Sequence, residues 1–135
     1  MLYMLDTDIC IYIAKQGNPK VMARFAKHSL GDLGISVVAY GELRVGTEKG
    51  DRPADGLKAL NLFTQIVPVL PISPEVAEPY ARTRADLERR GKMIGANDLW
   101  IASHCLQLGL TLVTNNEREF SRIPNLAIEN WTFSP

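Results

Sequence analysis

The feature that most constrains the fold is the opening run Leu2-Tyr3-Met4-Leu5, which passes directly into Asp6-Thr7-Asp8 before apolar character resumes at Ile9-Cys10. A short apolar run without polar alternation predicts a strand buried on both faces, as in a parallel sheet covered by helices on either side. Asp6 then stands at the carboxyl end of that strand, the edge at which open α/β sheets build ligand sites. Asp and Thr are also ordinary helix caps, because their side chains accept the free amide hydrogens of a first turn. Asp6 alone does not decide between the two roles. The rest of the chain does, by whether further carboxylates arrive at the same edge.

Taken in order, Ile9–Lys15 predicts a short buried helix ended by Gln16-Gly17, and Asn18-Pro19 starts a second one. Val21, Met22, Phe25 and Ala26 recur at helical spacing there, with Lys20, Arg24 and Lys27 on a basic outer face. Gly31–Gly34 reads as a loop and Ile35–Val38 as a second core strand, followed by helical character that places Glu42 about one turn beyond it. Gly50–Asp55 is a polar turn before a helix from about Pro53 to Ile66. Val67–Ile72 is a third apolar run, and Pro68 and Pro71 make it an edge strand or an extended connector. Ser73-Pro74-Glu75 starts a helix reaching about Arg90, which Gly91 ends. Gly95 and Asn97 make a turn, and the helix from Asp98 to Leu108 puts a carboxylate at its dipole-favoured first turn. Leu110–Thr114 is a further strand closing in Asn116 and Glu119, and a last short strand covers Ala127–Glu129.

This alternation of strands and helices predicts a three-layer α/β/α sandwich with a mostly parallel central sheet, as one domain over residues 1–135. The length supports one sizeable core. No apolar run approaches a membrane span, and the N-terminus carries acids rather than a basic leader, so a cytoplasmic protein without membrane contact is expected. Cys10 and Cys105 read as buried thiols, and His28 and His104 lack ligand spacing, which disfavours zinc. Fifteen basic and fifteen acidic side chains cancel, so nucleic-acid binding must come from local patches. The run Arg82–Lys92 is the best such patch, with five basic residues against two acids.

Asp6, Glu42, Asp98 and the Asn116/Glu119 turn therefore all fall just after a strand or at a helix start. Each has an ordinary structural reading: a cap, a surface ion pair, or a charge placed at a helix N-terminus. Together, carboxylates without His or Cys suit a hard cation, because Mg²⁺ and Mn²⁺ prefer oxygen ligands. Packed without one, three acids repel and at least one takes up a proton. A divalent ion removes that cost, and it also activates water and offsets phosphoryl charge.

The chain resembles the PIN-domain ribonucleases, and more closely the VapC toxins of bacterial toxin–antitoxin modules. The resemblance runs through Met4-Leu5-Asp6-Thr7-Asp8-Ile9, Ile35-Ser36 with Glu42-Leu43, Asn97-Asp98 with Ile101-Ala102, and Val113-Thr114-Asn115-Asn116 with Arg118-Glu119-Phe120. It implies that Asp6, Glu42 and Asp98 hold Mg²⁺ or Mn²⁺, and that Thr7, Asp8, Ser36 and Thr114 line the site. The fourth family position is often Asp; Asn116 stands there with Glu119 nearby, leaving Asn116, Glu119 or a water to complete the site. Asp8 replaces a frequent Asn, and Ala39 a frequent Ser or Thr. The resemblance further implies hydrolysis of single-stranded loops of structured RNA (tRNA or rRNA) by a metal-activated water, leaving a 5′-phosphate and a 3′-hydroxyl. It also implies a homodimer neutralised by a VapB-type antitoxin whose tail fills the active-site groove. Lys49, Arg82, Arg84, Arg89, Arg90 and Lys92 are the expected contacts to RNA phosphates or to antitoxin acids.

Two other classes fit parts of the pattern. Asp6-Thr7-Asp8 also resembles the start of haloacid-dehalogenase-like phosphatases, with Asp6 as a phosphorylated nucleophile. That reading leaves Glu42 without a role, and the chain is short for the fold. A PIN-like RNA-binding module with a decayed site is the non-catalytic alternative, against which stands the retention of three acids.

Overall fold

The structure, a computed structural model, describes residues 1–133. Its five strands are β1 (Tyr3–Leu5), β2 (Leu33–Ser36), β3 (Val69–Leu70), β4 (Thr111–Val113) and β5 (Ile128–Glu129). They form one sheet in the order β3-β2-β1-β4-β5. Every pairing is parallel, so the sheet is wholly rather than mostly parallel among the described residues. The helices are α1 (Thr7–Lys15), α2 (Pro19–Ala26), α3 (Val37–Lys49), α4 (Pro53–Ile66), α5 (Ala77–Arg90), α6 (Ala96–Leu108) and α7 (Glu117–Phe120), with a 3₁₀ turn at Pro74–Val76.

Alternation along the strands divides the apolar side chains between two cores. Leu5, Leu33, Ile35 and Val113 pack with Ile9, Ile13, Val21, Leu60, Phe63 and Trp131 on one face. Met4 and Leu112 pack with Leu87, Leu99, Ile101, Cys105 and Phe120 on the other. β1 lies at the centre, and Met4 and Leu5 are wholly buried, which is why its sequence shows no polar alternation. The edge position of β3 agrees with its flanking prolines, which cannot donate to a ladder.

Three local boundaries differ from the sequence reading, one being that Asn97, expected in a turn, lies inside α6, which begins at Ala96 after the Gly95 cap. Val37 and Val38 belong to α3, not to the second strand, because the Ser36 hydroxyl accepts the Val38 amide at 3.1 Å and starts the helix there. Gly34 lies within β2 instead of a loop. A Cβ at Gly34 would stand 2.8 Å from Met1 Sδ and 2.9 Å from Leu70 Cδ1, so the glycine admits close neighbours rather than making a turn. Helix α5 ends as expected at Gly91, in the left-handed region at φ 63°. Cys10 and Cys105 are both buried free thiols.

Candidate active site

β1 delivers Asp6 to the carboxyl edge of the sheet, where its amide donates to the Val113 carbonyl at 2.8 Å. Its carboxylate serves as a helix cap and also accepts a second hydrogen bond. One carboxylate oxygen caps α1 by accepting the Thr7 amide at 2.8 Å, and the other accepts the Thr114 hydroxyl at 2.8 Å. Only 5% of Asp6 is exposed. Burial pushes its pKa up to about 6, aided by the charges of Asp8 and Glu42 and resisted by the Thr114 and Thr7 hydrogen bonds.

The other acids arrive from separate elements. Glu42, on the second turn of α3, accepts the Thr7 hydroxyl at 2.7 Å. Asp98, in the first turn of α6, lies beside Glu119 and feels Asp6 and Glu42; burial first, and then these neighbours, raise its pKa to about 7. Glu119, on α7, accepts from the Asn116 side-chain amide at 2.8 Å, and the Asn116 backbone amide donates to Thr114 Oγ1 at 2.9 Å. A chain of hydrogen bonds thus runs from Glu119 through Asn116 and Thr114 to Asp6. Asp8 accepts the Ile9 amide at 2.8 Å and also the Asn115 amide, bracing the turn after β4 against α1, while burial raises its pKa.

Cys10 is buried with its thiol toward the Leu5 carbonyl, and His104 is wholly buried. Among the described residues, no three Asp, Glu, His or Cys side chains stand close enough to grip one ion. Glu42 is engaged with Thr7, and Asp98 lies beside Glu119. Burial first, and then the neighbouring carboxylates, raise the pKa values of Asp6 and Asp98.

The other expected residues divide. Thr7 and Thr114 touch the acids directly. Ser36 is wholly buried, and its hydroxyl is taken up by Val38 and by His104. Arg82, Arg84 and Arg90 lie on α5 in ion pairs one helical turn apart, with Glu78, Glu88 and Asp86. Arg82 lines a cleft of about 360 Å³ with Thr83, Asp86, Leu106, Pro124 and Asn125, and none of the site acids borders it. Lys49 ends α3, while Arg89 and Lys92 flank the end of α5; all three are exposed. A second groove of about 380 Å³, mostly apolar, runs between α1, α3 and α4 past Ile11, Ala14, Leu43 and Phe63, with Glu42 on its rim.

Sequence reasoning missed the Ser36–His104 contact, which joins residues with no common motif, and the Asn115 amide on Asp8. It also missed the Glu129 carboxylate, which gathers Arg24 at 2.8 Å and the Trp131 indole at 3.1 Å beside the last strand. No pattern along the chain signals contacts of this kind, because each depends on which strands are neighbours.

Comparison with known proteins gives a consistent picture. The family model described as PIN domain matches residues 3–126. Ribonuclease VapC2 of Haemophilus influenzae is 37% identical over 129 residues, covering 96% of this chain and 97% of that protein. The tRNA(fMet)-specific endonuclease VapC of Shigella flexneri is 38% identical over 130 residues, covering 96% and 98%. The crystal structure of DNA-bound VapBC from Salmonella typhimurium contains a chain that superposes with a TM-score of 0.90 at 37% identity, covering 97% of this chain and 99% of that one.

Proposed function

The chain belongs to the PIN-domain family and, within it, to the VapC ribonucleases; from that premise we propose that it is the toxin of a toxin–antitoxin module, a divalent-metal-dependent endoribonuclease cutting single-stranded loops of tRNA or rRNA. The observation that carries this reading is that Asp6, Glu42 and Asp98 come from three separate elements to one edge, where Thr7 links Asp6 to Glu42 and Asp98 is near enough to feel the charges of both.

Asp6, Glu42 and Asp98 are the residues that would hold Mg²⁺ or Mn²⁺; their oxygens are the donors those ions prefer, but as they stand no three of the described acids close on one ion, so binding would have to draw them together. When bound, the cation supplies Lewis acidity to water and offsets charge at the phosphoryl group. Thr114 and the Thr7 amide orient the two oxygens of Asp6. Thr7 Oγ1 holds Glu42 in place, and Asn116 holds Glu119 beside Asp98. Asp8 adds charge but is committed to two amides, so its part is to fix the turn bearing Thr114 and Asn116.

The apolar groove beside Glu42 suits an amphipathic segment of a VapB-type antitoxin, whose approach would block the acids. A homodimer and a cytoplasmic location belong to the same reading; no described helix is long and apolar enough to cross a membrane. Arg89, Lys92 and Lys49 are better placed than Arg82, Arg84 and Arg90 to meet phosphates, since the latter three are held by neighbouring acids. The decisive experiment is Asp98→Asn: cleavage of tRNA and rRNA by the purified protein is lost while its circular dichroism is unchanged. Undiminished cleavage by that variant refutes the assignment. A phosphatase working through Asp6 would instead leave an aspartyl-phosphate, which this reading excludes.

A further inference from the structure

Two segments that lie far apart in sequence are fastened together beside Asp98. Arg90, at the end of α5, donates from Nη2 to the Arg122 carbonyl, and Arg122 Nη1 donates back to the Met93 carbonyl at 3.0 Å. The stretch after α7 is thereby tied to the loop between α5 and α6, which leads into Asp98. Every acid on these two helices is engaged. Those of α5 pair with Arg82, Arg84 and Arg90. Glu119 takes the Asn116 amide, and Glu117 the Asn130 amide at 3.3 Å. The cations left without an acid partner among the described residues are Arg89 and Lys92 at the end of α5, and Arg118 and Arg122 around α7.

Arg118 and Arg122 stand about one turn apart, since the Ser121 amide donates to the Glu117 carbonyl at 2.9 Å and the Arg122 amide to that of Glu119 at 3.1 Å. Phe120 is wholly buried, whereas Arg118 is exposed. Glu119, next to Arg118 in the chain, lies beside Asp98. These cations therefore adjoin the site acids without pairing with them. A chain of zero formal net charge has no general attraction for a polyanion, so a local group of free cations is what it has to offer one. Arginine forks match phosphate oxygens two at a time. A guanidinium already held by a backbone carbonyl, as that of Arg122 is, has lost much of its freedom before a ligand arrives. The groove between α1, α3 and α4 has the opposite character, being mostly apolar, and suits a protein segment.

We propose that Arg89, Lys92, Arg118 and Arg122 form one phosphate-binding track that leads an RNA strand to the acids. The proposal rests on the nuclease reading above, from which it takes its ligand. Arg90 has a different part: it fastens the two halves of the track to each other. Arg118 and Arg122 lie outside the basic run Arg82–Lys92 and are brought to its end only by the fold.

The test reads binding apart from cleavage. Labelled tRNA is titrated with the full chain in EDTA over a range of salt concentrations, for wild type, Arg118→Ala, Arg118→Lys and Arg82→Ala. Arg118 is the residue to change, because Arg122 also supports the Met93 loop and its loss would disturb the fold. Each phosphate contact to a single strand contributes about 0.7 to the log–log salt slope. Arg118→Ala therefore flattens the slope by that amount and weakens binding several-fold at low salt, while Arg118→Lys keeps the wild-type slope. Arg82→Ala changes neither, since Arg82 is held by Glu78 and borders a separate cleft. All three variants keep the wild-type melting temperature, as exposed side chains should. With Mn²⁺ added, Arg118→Ala raises KM several-fold and leaves kcat within about twofold, the split expected when only ground-state binding is lost. A wild-type slope in Arg118→Ala, or an equal loss in Arg82→Ala, overturns the proposal. Intact tRNA binding by Arg118→Ala beside lost binding of a VapB-type antitoxin also overturns it, by assigning the cations to a protein partner. Wild-type protein that binds tRNA with the expected slopes yet leaves it uncut in Mn²⁺ refutes the nuclease reading instead.

Discussion

Replacing Asp6 by Asn removes activity, and at neutral pH it also makes the metal-free protein more stable. The folded-state pKa of about 6 stands above the ordinary value of 3.8, so between these two values the folded protein holds a proton that the unfolded chain has released. Stability then falls as pH rises through that window, and the full cost of the buried charge is present above it. A shift of roughly two pH units corresponds to about 3 kcal/mol. Asn still caps α1 through its carbonyl oxygen. Its amide leaves the Thr114 hydroxyl hydrogen without its acceptor, which costs about 1 kcal/mol. The net gain at pH 8 is about 2 kcal/mol, or an increase in Tm of roughly 6–8 °C for a chain of this size. At pH 4 the gain vanishes or reverses, because Asp6 is then largely protonated in wild type as well. Calorimetric melting of both proteins in EDTA from pH 4 to pH 8 measures this directly. Excess Mn²⁺ restores the order by stabilising wild type alone. An Asp6→Asn variant no more stable than wild type at pH 8 without metal, or a difference independent of pH, refutes the electrostatic reasoning.

Chelation by EDTA stops RNA cleavage and added Mg²⁺ or Mn²⁺ restores it, as an assay with labelled tRNA shows; activity that persists in EDTA contradicts an oxygen-ligated cation. Gly91→Ala costs about 1 kcal/mol in urea unfolding, since Gly91 ends α5 at φ 63° with open space around it and only backbone strain is added. Arg89→Ala with Lys92→Ala weakens RNA binding and flattens its salt dependence by about 1.4 in log–log slope, two phosphate contacts at roughly 0.7 each; an unchanged slope removes both residues from the RNA surface.

Much of the fold was legible because its signals are local. Met4-Leu5 with no polar alternation specified a strand buried on both faces, and Pro68 and Pro71 specified an edge. Asn18-Pro19 and Gly91 marked helix ends through side-chain and backbone chemistry that needs no tertiary partner. The boundary at Val37-Val38 was misread because β-branched residues favour strands, while the buried Ser36 hydroxyl caps a helix just before them. Gly34 resembled a loop residue, for its reason is a Leu70 side chain from another strand.

The site divides along the same line. Asp6, Glu42 and Asp98 could be singled out because each follows a strand or starts a helix, positions a sequence pattern makes visible. The Glu119–Asn116–Thr114 chain and the double use of Asp6 as cap and site acid could not be weighed before the elements were assembled. Within the basic run Arg82–Lys92, three cations pair with acids one helical turn away, a detail that a charge count along the chain does not reveal.

The chemistry of the cut ends tests the nuclease reading most directly. Purified protein is incubated with tRNA and rRNA in Mn²⁺, and the termini are mapped by ligation with and without prior end repair. Attack by a water at the Asp6–Glu42–Asp98 edge predicts 5′-phosphate and 3′-hydroxyl ends, absent with Asp98→Asn. Ends carrying a 5′-hydroxyl and a 2′,3′-cyclic phosphate would mean that the RNA's own 2′-hydroxyl was the nucleophile, and would contradict it.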